Sequence, residues 1–165
     1  MRSVVAVTLS AVLLLNLVGC ERLALDRQME ALCKKDGGVK VYETVMLPAT
    51  YFEHSGRLKV SQSMAYGVSS ERDETQFQRV GDDEYRIITK RQILAGATAN
   101  PERGEGRLVR LHWAIYRWPD RKLLGEQVEY RRVGGDSFTF GFHPSSASCP
   151  RVDRDVQQIA FTHGE

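Results

Sequence analysis

Leu108-Val109-Arg110-Leu111-His112-Trp113-Ala114-Ile115-Tyr116 decides the fold of this chain. Val109, Leu111, Trp113 and Ile115 alternate with Arg110, His112, Ala114 and Tyr116, the two-residue period of a strand. Pro119-Asp120-Arg121-Lys122 has the composition of a turn, and Leu123 to Arg132 returns as a second strand. Leu108 to Tyr130 therefore reads as an antiparallel hairpin. Pairing positions 118 and 123 sets Val128 against Trp113 and Tyr130 against Leu111 in the core. The same register sets Glu129 opposite His112 on the other face, and a one-residue slip breaks both correspondences.

Other segments extend the sheet. Val39 to Leu47 reads as a strand with Val39, Val41, Val45 and Leu47 on one face, ended by Pro48. Leu58, Val60, Met64 and Tyr66 share a parity that fits a half-buried strand. Ser69 to Gln76 is polar and reads as a loop. Glu84 to Leu94 reads as a strand, and Ala95 to Gly106 as a loop. Val152 to Phe161 fits helix or strand; Val152, Val156, Ile159 and Ala160 favour a helical stripe.

Ahead of the strands, Glu21 to Lys35 reads as an amphipathic helix. Leu25, Met29, Leu32 and Cys33 fall on one face, Lys34 and Lys35 suit its C-terminal end, and Gly37-Gly38 stops it. One helix followed by antiparallel strands defines an α+β domain, a curved sheet packed on the N-terminal helix. A small β-barrel is the alternative.

The N-terminus carries an address. Arg2 precedes an apolar run from Val4 to Val18 of about 15 residues, short of the ~20 that a spanning helix needs. Small residues then lead to Leu17-Val18-Gly19-Cys20, which resembles the lipobox of bacterial lipoproteins. The resemblance implies a signal peptide over residues 1–19, a diacylglycerol thioether on Cys20 with a further acyl chain such as palmitate on its amine, and one lipid-anchored domain over 20–165. Two or three chains make attachment effectively permanent where one is marginal. The location implied is the cell envelope, facing the periplasm. Glu21, rather than Asp, after the lipidated Cys favours the outer over the inner membrane.

Composition bounds the rest. The full chain has 165 residues, with 23 Lys+Arg against 21 Asp+Glu. Cleavage removes only Arg2 of these charges, so no strong field favours nucleic acid. With Cys20 lipidated, Cys33 and Cys149 remain as an even pair in an exported protein, which reads as a disulfide. His54, His112, His143 and His163 are widely spread and no spacing suggests a metal site. No cofactor motif is present.

The sequence lacks a Gly-x-Ser-x-Gly elbow, a Ser-x-x-Lys pair, a phosphate loop and a His-Glu-x-x-His helix. Candidate sites are therefore non-local. His112 with Glu129 fits an acid-base pair for a periplasmic hydrolase, or an ordinary cross-strand contact. Phe138, Phe140, Phe142 and His143 lie in a Gly-rich stretch that fits a recognition loop or a cap over the core edge. Tyr116 and Trp118, with Arg117 and Arg121, lie near the hairpin tip, where they fit an interface or a cover for the sheet end.

Cys33 to Val45, Leu123-Leu124-Gly125-Glu126 and His143 to Pro150 also resemble an uncharacterised family of small bacterial exported proteins. That resemblance implies no activity and no site residue. The leading expectation is a non-enzymatic envelope lipoprotein that binds an envelope protein or glycan, or serves as an accessory subunit.

Overall fold

A computed structural model describes residues 20–59, 61–66, 73–98, 105–118, 120–136 and 145–164. The lipobox residues before Cys20 and the stretch holding Phe138, Phe140, Phe142 and His143 lie outside them. The fold is α+β, with the N-terminal helix packed on a large antiparallel sheet that does not close into a barrel.

Helix α1 spans Cys20–Asp36. The strands are β1 (Gly38–Val41), β2 (Val45–Leu47), β3 (Gln62–Tyr66), β4 (Asp73–Val80), β5 (Asp83–Gly96), β6 (Gly106–Trp118), β7 (Lys122–Gly134) and β8 (Ser146–Cys149). A short helix α2 (Val156–Ala160) leads directly into β9 (Phe161–His163). The large sheet runs β1-β7-β6-β5-β4-β3, and β8 shares the outer edge of β7 with β1. A separate parallel pair joins β2 to β9.

The β6–β7 hairpin forms as its alternation predicts, but its register differs by one residue. His112 faces Val128, Leu111 faces Glu129, and Trp113 faces Gln127. Near the tip Leu123 pairs Tyr116 and not Trp118, a shift of two; Gly125 then pairs Ile115, so the extra Leu124 takes back one residue and sets the face of the rest. The shift sends Val128 and Tyr130 to the face opposite Trp113 and Leu111, not onto it.

Each face builds its own core. On one, Leu108, Val128 and Tyr130 pack with Leu25 and Met29 of α1, and Leu32 and Cys33 flank them. On the other, Tyr85, Ile87, Ile115 and Leu124 pack with Leu47, Phe52, Leu58, Val156, Ala160 and Phe161. A sheet covered on both faces explains why α1 alone does not complete the fold. Cys33 is bonded to Cys149, with Cα atoms 6.0 Å apart across 116 residues of sequence, an ordinary span for a disulfide. The bond staples α1 to β8.

Three expectations on the strands change. Val39 to Leu47 is two strands in two sheets, broken after Val41, where the N–H groups of Tyr42 and Glu43 both reach the Leu124 carbonyl. Asp73 to Gln76 is not loop; it begins β4, which gains its strand character from pairing with both β3 and β5, not from apolar alternation. Leu58 is not in a strand with Met64: it makes an isolated bridge to Phe52 and is 1% exposed. The C-terminal segment is helical only over Val156–Ala160, where Asp155 and Gln158 form a reciprocal capping box.

Candidate functional site

The shifted register separates the acid-base pair suggested by sequence. Adjacent residues of a strand point to opposite faces, so His112 and Glu129, each neighbouring the other's partner, lie on opposite sides of the sheet. They cannot work as one pair. His112 instead meets Glu126, Nε2 to Oε2, at 3.1 Å. Tyr42 donates its hydroxyl to the other Glu126 oxygen at 2.6 Å. The Tyr42 hydroxyl, then the neighbouring His112, hold the Glu126 carboxyl below its usual range, against the opposing effect of burial. The same bond raises the Tyr42 hydroxyl. Glu126 is thus a fixed anion and hydrogen-bond acceptor at neutral pH, not a proton donor.

Asp36 repeats the pattern at the end of α1. It accepts the Tyr130 hydroxyl at 2.6 Å and pairs with Arg110 at 3.5 Å. Both clusters tie α1 and the segment after it to the hairpin.

Glu129 lies on the other face, where Arg131 reaches it at 3.0 Å. There a cleft of about 390 Å³ opens between the sheet and the segment around α2. Half-buried Trp113 and Glu129, buried Gln127 and exposed Arg131 come from the sheet; Val152 and residues 155–158 come from the covering segment, and Arg57 from the stretch before β3. The wall is firmly built. Gln127 Oε1 accepts the Val156 N–H at 2.9 Å, Arg57 pairs with Asp155, and Gln158 donates to the Ser55 carbonyl at 2.8 Å. These residues escape a reading of the sequence because they come from three distant segments. Trp113 carried a signal as a core residue, Glu129 as half of the suggested acid-base pair, and Val152 and Val156 as part of a helical stripe.

At the hairpin tip, two guanidinium groups pack on the Trp118 ring. Arg86 lies 3.7 Å and Arg121 4.7 Å from its ring centre. Arg86 also pairs with Glu84 at 2.7 Å. Arg117 bridges Glu43 and Asp120, and Lys122 also pairs with Glu43. Lys122, then Arg117, hold the Glu43 carboxyl below its usual range, and Arg117 does the same for Asp120. Tyr116 is half-buried and faces Arg86 across the β5–β6 ladder. The tip therefore both covers the sheet end and presents aromatic and arginine groups.

Among the described residues, no cluster of three His, Cys, Asp or Glu is placed to hold a metal ion. Comparison with known protein families, curated proteins and solved structures finds no match to this chain.

Proposed function

We propose that the chain is a lipid-anchored protein of the bacterial envelope that acts by binding, and that it receives a glycan in the cleft beside Trp113. The observation that carries the reading is the half-buried Trp113 set among Gln127, Glu129 and Arg131 in a cleft of about 390 Å³. A sugar ring lays its C–H face on an indole, while amide, carboxylate and guanidinium groups exchange hydrogen bonds with its hydroxyls. The volume falls in the range of small-ligand sites. The Cys33–Cys149 bond fits an oxidising compartment, and Leu17-Val18-Gly19-Cys20 supplies the anchor.

Cosedimentation with purified cell-wall glycan tests the binding. The chain should pellet with the glycan, and Trp113→Ala should weaken retention at least tenfold while leaving the circular dichroism spectrum unchanged. A wild-type chain that stays in the supernatant defeats the glycan reading. Cys20→Ala tests the anchor: the product should move from the membrane to the soluble fraction, and unchanged membrane association defeats it.

A protein partner is the second reading, favoured by the Arg86–Trp118–Arg121 stack. Trp and Arg are enriched among residues that dominate protein interfaces. Photocrosslinking from position 121 in intact envelopes should then give one discrete adduct, lost on Trp118→Ala.

A further inference from the structure

We infer that the domain is held directly against the bilayer in one orientation, with the Gly106–Asp136 end at the lipid surface and the hairpin tip pointing away. This rests on the lipid anchor at Cys20. The occupant of the surface is the bilayer that carries that lipid.

Cys20 is the first residue of α1, so no spacer separates the lipidated position from the helix. The first two turns are fixed to one end of the sheet. Glu21 accepts the Gly106 N–H at 3.1 Å, and Arg22 pairs with Asp136 at 2.9 Å. Asp26 pairs with Arg132, which is 1% exposed. Leu25 is buried against Gly106, where a Cβ would lie 2.6 Å from Leu25 Cδ1. A Cβ on Gly135, whose φ is +86°, would lie 3.2 Å from Arg22 Cα. Two glycines thus let the helix start sit close on the backbone, and a lipid on residue 20 leaves the domain at this end.

The outer side of the same turn suits a lipid headgroup region. Leu23 points away from the core and is 56% exposed. Arg27 is exposed beside it, and basic groups are drawn to anionic lipid surfaces; Arg22 is shared with Asp26 and Asp136 and keeps 51% of its side chain exposed. Glu21, Asp26 and Asp136 are all engaged inward, by a backbone N–H or an arginine. At the opposite end lie Trp118 and the β4–β5 turn. β6 runs 13 residues between the two ends, about 40 Å at the rise of a strand.

Energy transfer to headgroup acceptors tests this on the full lipidated chain in vesicles of phosphatidylethanolamine and phosphatidylglycerol. Donor dye is attached through Ala24→Cys in one sample and Asp82→Cys in another, both at exposed positions. Transfer from position 24 should exceed that from position 82 several-fold. Inserting ten Gly/Ser residues between Cys20 and Glu21 should bring the two values together while vesicle flotation persists. Equal transfer in the chain without the insert, with flotation intact and abolished by Cys20→Ser, overturns the orientation alone. Flotation that survives Cys20→Ser overturns the anchor and the orientation with it.

Discussion

Arg132 is buried to 1% exposure, so its partners decide whether that position stabilises the fold. Asp26 receives its Nε, and the Gly134 carbonyl, the Ser145 carbonyl and the Ser145 hydroxyl share Nη1. One side chain thus joins α1, the end of β7 and the segment before β8. Removing one partner of a buried ion pair strands the other charge. Asp26→Ala should cost about 3 kcal/mol, at the low end for such a loss because the carbonyl partners remain. Urea denaturation checks it. Glu126 gives a pH signature at the same scale. Its folded pKa lies below the unfolded value, so its contribution is fully present above the unfolded carboxyl range and fades as pH falls through the folded value. The Asp136 carboxyl is also lowered, first by the Ser145 hydroxyl, and adds in the same direction. Stability should therefore drop on acidification below about pH 4.3. Glu126→Gln should flatten that acid limb, measured as unfolding midpoints across pH.

At the scale of elements, helix and hairpin show how far sequence patterns reach. α1 was legible because Leu25 and Met29, its two buried residues, recur at the helical period. The existence of β6 and β7 was legible from alternation. Their register was not, because the extra Leu124 carries no mark in the sequence, and a single unpaired residue reverses the face of all that follow. That reversal separated His112 from Glu129 and brought it to Glu126. β4 was missed because Asp73-Glu74-Thr75-Gln76 has no apolar alternation; neighbours on both sides make it a strand. The disulfide could be read from the even pair, Cys33 and Cys149, that remains once Cys20 is set aside. Replacing Cys33 and Cys149 together by Ala should lower stability by about 2–5 kcal/mol, since the bond closes a long loop in the unfolded chain. Denaturation of the double variant beside the oxidised chain measures it.

For the whole molecule, the two cores share one set of strands. Leu108 and Val128 serve the helix side, while Ile115 and Leu124 serve the C-terminal side, all on β6 and β7. Melting either core removes the support of the other, so unfolding should be one cooperative transition. Tryptophan fluorescence and far-ultraviolet circular dichroism should give coincident thermal curves; a separate early loss of helix would contradict this. By itself the sequence determined what depends on neighbours along the chain: the N-terminal helix, the hairpin and the α+β class. Only the tertiary structure decided which side chains meet. The cleft beside Trp113, the Tyr42–Glu126–His112 line and the seating of α1 on Gly106 and Gly135 join residues far apart in the chain. Their meeting depends on register, a bulge and sheet topology, which arise from packing across the whole domain and not from local periodicity.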